Sequence, residues 1–144
     1  MAFRSTAAAL LLTATLTVPA AAADSHSPVG TWRMLHPQTG AAHMIIEIAD
    51  KNGELEGRIA ELADGPADAV CWNCVGERKN QPLAGMVILW DVTPVSGGWN
   101  AVILRPATGM INGARIELEN GGKALKIISG RGPLRVAQTW DRIE

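Results

Sequence analysis

Alternation of apolar and polar residues is the main pattern along the chain beyond residue 30. Met44, Ile46 and Ile48 share one face of a predicted strand, whereas His43 and Glu47 share the other. A period of two residues indicates a β-strand with one buried face and one wet face. The same reading along the chain predicts eight strands, at about 30–36, 41–49, 54–62, 83–90, 98–105, 110–119, 124–129 and 134–143.

Short stretches rich in Gly, Asn and Pro separate these segments, as at Asp50–Gly53 and Asn120–Gly122. Gly and Asn accept the positive φ angles that tight hairpin turns require. Eight strands joined by hairpins favour an all-β fold, an eight-stranded antiparallel up-and-down barrel, because closure removes exposed sheet edges. A two-sheet sandwich is the alternative. The long connection at about 63–82 contains both cysteines.

The two ends of the predicted barrel carry a further pattern. Gly30 and Trp32 open the first strand, and Arg142 stands at the end of the last. First and last strands are neighbours in a closed barrel, so Trp32 could plug its floor while Arg142 lies over the indole ring as a cation–π pair. This arrangement resembles the G-x-W motif and C-terminal Arg of the lipocalin-like superfamily. A buried Trp with an unrelated surface Arg is the alternative.

The N-terminal region has the three parts of a secretory signal peptide. Arg4 precedes an apolar stretch from Ala7 to Val18, and Ala21–Ala23 supplies small residues before Asp24. This pattern predicts cleavage after residue 23, with a membrane anchor as the alternative. We therefore expect a signal peptide at 1–23, a single barrel domain at 24–144 without a transmembrane segment, and a periplasmic or secreted location.

Composition narrows the possible partners. The 13 basic and 14 acidic residues nearly balance, with a net charge of −1 and no basic stripe. Nucleic acid is therefore not an expected partner. The chain has no Tyr, and its single Phe, Phe3, precedes the predicted cleavage site. The barrel interior thus lacks two bulky residue types, which favours a cavity slightly over a filled core.

Cys71 and Cys74 are the two cysteines and stand three positions apart. In an exported protein such a pair is expected to be oxidised. A thiol–disulfide redox function would need the motif at a helix start in a βαβ setting, whereas here it lies in a loop between hairpins. We favour a local structural disulfide over redox chemistry. Two cysteines without further ligands also predict no metal site, and no cofactor is expected.

No catalytic set is visible, so the sequence does not predict an enzyme. His26, His36 and His43 are scattered, and no Ser or Cys has a spaced base with an orienting acid. The charged stretch Glu77–Lys79 is expected to be a solvated loop. The alternative is a barrel mouth that attracts an anionic head group, which Arg58 and Arg105 could join.

The predicted inward stripe is the candidate ligand site. Its members share the buried parity of their strands: Trp32, Met34, Met44, Ile46, Ile48, Leu55, Ile59, Leu134, Val136, Gln138 and Trp140. Such a stripe either packs a core or lines a cavity, since eight-stranded barrels do both. Our first hypothesis is the binding of a small hydrophobic or amphipathic molecule. The alternative is a protein-interaction module that uses the Cys71–Gln81 loop with an unidentified protein partner.

Several blocks of the chain resemble a bacterial exported family known as domain of unknown function 2147. The matching blocks are Gly30–Trp32, Ile45–Ile48, Leu55–Ile59, Gly76–Met86 and Gln138–Arg142. The chain departs from the family between about 104 and 131, where Asn112 falls near a Tyr position. The resemblance implies a small lipocalin-like barrel in the cell envelope or secreted, and no established activity or catalytic residues.

Overall fold

The structure, a computed structural model, describes residues 24–144, so the predicted signal peptide lies outside the described residues. Eight antiparallel strands form a closed barrel in chain order, and the first strand pairs with the last. This confirms the predicted fold class. The strands are β1 (Gly30–Leu35), β2 (Ala42–Lys51), β3 (Glu54–Leu62), β4 (Val87–Val95), β5 (Gly98–Arg105), β6 (Met110–Glu119), β7 (Ala124–Ser129) and β8 (Val136–Arg142). No helix among residues 24–144 is long and apolar enough to cross a membrane.

The predicted boundaries of two strands, β4 and β8, are wrong. Strand β4 was expected at 83–90 but begins at Val87, because residues 83–86 form a turn in which Met86 N–H donates to Leu83 C=O. The strand then continues to Val95 through a bulge at Asp91, which has a φ of 51°. The apolar run 83–90 has no polar face, so alternation could not locate its ends.

Strand β8 begins at Val136 rather than at 134. A single 3₁₀ turn, Gly132–Leu134, precedes it and contains Pro133. Proline fixes φ and lacks an N–H, so it favours a turn over a paired strand residue. This shift moves Leu134 out of the sheet.

Pairing across the strands brings inward-facing residues together, some from the predicted stripe and others from β6 and β7. Trp32 lies opposite Ile46 on β2 and opposite Arg142 on β8. Leu125 lies opposite Trp140, and Ile116 lies opposite Ile127. Apart from Arg142, each of these side chains is at most 1% exposed. They form a close-packed core in one half of the barrel, where a change of even one methylene alters packing.

The barrel has two different ends. At the closed end, the segment 24–29 and the C-terminal residues meet the turns at 52–53, 96–97 and 120–123. At the open end lie four other connections, at 36–41, 63–86, 106–109 and 130–135.

Candidate functional site

Arg142 organises the closed end. Its guanidinium carbon lies 4.2 Å from the centroid of the Trp32 ring, which is the placement that the sequence predicted. It also donates from Nε to Gly122 C=O at 2.6 Å, from Nη1 to Val29 C=O at 2.8 Å and from Nη2 to Ser27 C=O at 2.7 Å. One side chain therefore joins the N-terminal segment, the β6–β7 turn and the barrel floor. Such charge-assisted hydrogen bonds are stronger than neutral ones.

Trp32 and Gly30 complete this plug. Trp32 is fully buried, and its indole Nε1–H donates to Pro28 C=O at 2.9 Å, so its polar atom is satisfied. A Cβ at Gly30 would lie 2.6 Å from Arg142 Nη1 and 2.6 Å from Glu144 C=O, and the φ of Gly30 is +147°. Only glycine fits this position. The close approach of Arg142 thus explains why the first residue of the G-x-W motif is a glycine.

Burial lowers the pKa of the Arg142 guanidinium from its ordinary value, and the nearby Asp24 carboxylate raises it. Burial is the larger cause because it removes water from a charged group. An arginine nevertheless stays protonated at physiological pH. The cation–π contact and the hydrogen bonds to the carbonyl groups, including a longer one of 3.4 Å from Nη2 to Asp24 C=O, are therefore present throughout that range.

A cavity of about 760 Å³ occupies the open end. Its apolar wall includes Met34, Met44, Ile103, Val136 and Trp140. Small-molecule sites in proteins are typically apolar clefts of about 300–1,000 Å³ with few polar groups. A second hollow of about 440 Å³ lies at the closed end, but it is a shallower surface depression beside Trp99 and Leu118.

Polar groups surround the mouth of the large cavity. His36 and His43 lie edge to face, with ring centroids 5.4 Å apart, and both line the cavity. His43 Nδ1 lies 2.7 Å from Asp64 Oδ1. Arg105 and Gln138 also line the cavity, each half-buried. No set of three or more His, Cys, Asp or Glu residues within 24–144 could hold a metal ion.

The predicted inward stripe divides between packed core and cavity wall. Its cavity-lining members are Met34, Met44, Val136, Gln138 and Trp140. Its members below them, buried in the packed core, are Trp32, Ile46, Ile48 and Ile59. Leu55 is half-buried near the closed end and does not line the cavity.

Leu134 corrects the predicted stripe. The side chain is 67% exposed in the 3₁₀ turn before β8, and it does not face the barrel interior. It shares sequence parity with Val136 and Gln138, but parity carries a facing direction only while the backbone remains extended. The turn at Pro133 ends that regularity.

Sequence reasoning did not assign three of the cavity residues. His43 was predicted on the wet face of its strand, but it lies at the open end of β2, where it lines the cavity and meets His36 across the β1–β2 hairpin. Arg105 was named only as a possible member of a charged mouth. Its position at the end of β5, beside the β5–β6 turn, could be recognised only once the closed barrel placed that turn over the cavity.

Cys71 and Cys74 form a disulfide, with their Cα atoms 5.4 Å apart, which confirms the predicted bond. The two residues are 1% and 2% exposed. A disulfide is broken when a thiolate attacks one of its sulfurs, so a buried bond is poorly placed for exchange. This arrangement supports a structural clip more than a redox site.

The cysteine loop, residues 69–83, packs beside the β5–β6 turn. Its two arms are joined by hydrogen bonds from Cys71 N–H to Gln81 C=O and from Leu83 N–H to Ala69 C=O, around an isolated bridge between Val70 and Pro82. Asn73 Nδ2 donates to Ala107 C=O at 2.7 Å. A Cβ at Gly109 would lie 1.8 Å from Asn73 C=O, so that glycine permits the close approach. The loop therefore supports the turn that carries part of the cavity wall.

The charged part of the cysteine loop is partly packed rather than fully solvated. The Arg78 guanidinium carbon lies 4.7 Å from the centroid of the Trp90 ring, a cation–π contact. Lys79 Nζ donates to Trp72 C=O. Glu77 and Lys79 are exposed. Trp72 and Val75 are 69% and 74% exposed, so the loop presents apolar side chains to solvent.

Comparisons with known proteins agree with this architecture. The family described as "Uncharacterized protein conserved in bacteria (DUF2147)" matches residues 30–142. Among solved structures, protein HP1028 from Helicobacter pylori, described as belonging to the lipocalin family, is similar with a TM-score of 0.69. It is 17% identical, and the match covers 82% of this chain and 84% of that one, so it shows a shared fold. Curated proteins include no match to this chain.

Proposed function

Because this chain belongs to the bacterial DUF2147 family, whose description assigns no activity, we propose its function from its cavity. The barrel binds a small hydrophobic or amphipathic molecule and does not catalyse a reaction. The observation that carries this proposal is the cavity of about 760 Å³ within a closed barrel whose other half is fully packed. The lipocalin-like fold is compatible with such a role but does not by itself define it.

The cavity wall supports an amphipathic occupant. Its deeper side chains, such as Met34, Met44 and Trp140, are apolar, whereas Gln138 and the two histidines add polar atoms. Methionine side chains adapt to irregular apolar ligands because they are unbranched and polarizable. An apolar tail would replace water against this wall, and burial of apolar area favours that exchange.

Filling the cavity tests the proposal. Val136→Trp should place a large side chain in the cavity and abolish uptake of the neutral fluorescent probe N-phenylnaphthylamine. Val75→Trp is the matched control, because Val75 is 74% exposed in the cysteine loop. The probe should bind the wild type and the control equally. Absence of probe binding to the folded wild type would refute the proposal, as would equal binding to both variants.

We also infer that the protein acts outside the cytoplasm. The signal-peptide pattern at 1–23 and the Cys71–Cys74 disulfide support this, because disulfides persist in oxidising compartments. In a bacterial cell fractionation, the periplasmic or secreted form should begin at Asp24. Recovery of the full-length chain in the cytoplasm would contradict the inference.

A protein-docking function for the Cys71–Gln81 loop is the second candidate. Trp72 and Val75 expose large apolar surfaces at its tip, and such residues often mark interaction sites. Trp72→Ser with Val75→Ser should abolish capture of a cross-linked envelope partner while thermal stability changes little. Retained capture by the double variant would exclude this loop as the docking site.

A further inference from the structure

The charged groups that line the cavity are of one sign. Arg105 is a cation, and His36 and His43 are neutral or positive, whereas the cavity wall contains no Asp or Glu. The chain as a whole has slightly more acidic than basic residues. The cavity wall therefore carries the Arg105 cation and no carboxylate.

Arg105 differs from the other half-buried arginines within residues 24–144. Four of them have a partner: Arg33 with Asp141, Arg115 with Glu117, Arg78 with Trp90, and Arg142 with Trp32. The Arg105 side chain has no ion pair, hydrogen bond or cation–π contact within the described residues. Its guanidinium nitrogens are not among the buried unsatisfied atoms of residues 24–144, so the group is accessible and free to bind an anion at the mouth.

The backbone at Arg105 is well anchored, so the side chain projects from a defined position. Its C=O accepts hydrogen bonds from Gly109 N–H at 2.8 Å and from Thr108 N–H at 3.1 Å. These bonds form the β5–β6 turn, against which the cysteine loop packs through Asn73. A group held on a supported turn loses less conformational freedom when it binds a ligand.

Two histidine rings lie on the opposite side of the mouth, and a ring nitrogen donates to an anion only where it carries a proton. Asp64 is the acidic group beside them, and its Oδ1 lies 2.7 Å from His43 Nδ1. That carboxylate is engaged with His43 and does not line the cavity. Its contact fixes the imidazole ring and leaves the other ring nitrogen, Nε2, for a different partner.

From these observations we infer that the ligand is an amphiphile with a negatively charged head group, which Arg105 binds at the mouth. Its apolar part lies against Met34, Met44 and Trp140. The inference rests on the proposed binding function and specifies its ligand class. Carboxylate and phosphate head groups share the required chemistry, because guanidinium binds both through paired hydrogen bonds.

A series of ligands with the same dodecyl chain tests whether the charge of the head group determines the binding affinity. Laurate, dodecyl phosphate, dodecanol and dodecyltrimethylammonium are titrated below their micelle-forming concentrations into the mature protein by calorimetry. Laurate or dodecyl phosphate should bind about tenfold or more tightly than dodecanol, the effect of one charge-assisted hydrogen bond. The tighter of these two identifies the head group. The cationic ligand should bind most weakly.

The variant Arg105→Gln tests whether the preference for an anionic head group depends on Arg105. It should remove the advantage of the anion over dodecanol and leave dodecanol affinity unchanged. Arg135→Gln is the matched control, because Arg135 is exposed on the β7–β8 connection and does not line the cavity. The control should bind all four ligands as the wild type does.

The outcomes separate this inference from the proposed function. Equal affinity for laurate, dodecyl phosphate and dodecanol, or an unchanged preference in Arg105→Gln, would overturn the anionic ligand but leave cavity binding intact. Failure of every ligand and of N-phenylnaphthylamine to bind would overturn both. Loss of dodecanol binding together with the anions in a folded Arg105→Gln would show that Arg105 shapes the cavity rather than binding a charge, and would also overturn the inference.

Discussion

The closed and open ends of the barrel use arginine in opposite ways. At the closed end, Arg142 donates to four carbonyl groups, those of Gly122, Val29, Asp24 and Ser27, and covers the fully buried Trp32. At the open end, Arg105 is half-buried beside a cavity and has no partner among residues 24–144. An arginine whose hydrogen bonds are satisfied within the protein stabilises the fold, whereas an arginine without a protein partner is available for a ligand. The two ends thus separate stability from binding within one small barrel.

The position of the connecting segments explains this difference. The N-terminal segment crosses the closed end, where Pro28 accepts the Trp32 indole N–H. The cysteine loop is the longest connection at the open end, but it packs beside the β5–β6 turn. Within the described chain, no residue from 63 to 86 lines the cavity. The loop supports the wall of the cavity and leaves its mouth uncovered.

The largest expected effect is on the closed end. Trp32→Ala should lower the free energy of unfolding by about 3–5 kcal/mol, because it removes a fully buried indole and leaves a cavity. Trp72→Ala is the matched control at the open end, where the side chain is 69% exposed, and should change it by less than about 0.5 kcal/mol. Urea denaturation followed by circular dichroism measures both. Similar losses would break the comparison between the ends.

Arg142→Met should have the next largest effect, a loss of about 2–3 kcal/mol. The substitution leaves the carbonyl groups of Gly122, Ser27 and Val29 without this donor, and unsatisfied polar groups are costly. Arg105→Met at the open end should leave the free energy of unfolding nearly unchanged, because the side chain makes no ion pair or hydrogen bond within residues 24–144. The same denaturation measurement applies. A larger loss for Arg105→Met would show that stability resides at the open end.

Replacing both cysteines by serine should cost about 2 kcal/mol, since the bond closes a short loop and stabilises by limiting the unfolded chain. The effect should concentrate in the cysteine loop. Hydrogen exchange of amides at 69–83 should accelerate, whereas the amides of β1 and β8 should remain protected. Faster exchange in β1 and β8 would show that the loop stabilises the whole barrel.

The smallest expected difference is between two glycine variants: Gly109→Ala should destabilise the protein by about 1–2 kcal/mol more than Gly76→Ala. Both glycines have positive φ, at +70° and +60°, so the strain of an added Cβ is common to both. Only at Gly109 would the Cβ meet Asn73 C=O, whereas Gly76 has open space around it. The difference in thermal midpoint therefore measures how strongly the loop packs on the turn. Equal effects would mean that this packing is weak.

The sequence predicted which residues of the candidate site face the barrel interior, but it did not predict which of them line the cavity. Met34, Met44, Val136, Gln138 and Trp140 line the cavity as the inward stripe suggested. Ile46 and Ile48 have the same parity but belong to the packed core. Alternation reports which face of a strand a residue occupies, and it contains no information on depth along the barrel axis. Leu134 fails because the backbone is not extended there.

The amino-acid sequence alone predicted eight strands, favoured their closure into a barrel over a sandwich, and suggested the pairing of Trp32 with Arg142, all of which the structure confirms apart from the bounds of β4 and β8. Those features depend on local periodicity, turn residues and the adjacency of first and last strands, all of which are written along the chain. The tertiary structure alone decided that one half is packed and the other open, and that His36, His43 and Arg105 meet at one mouth. These results depend on strand stagger and loop packing, which bring distant residues to the same height in the barrel.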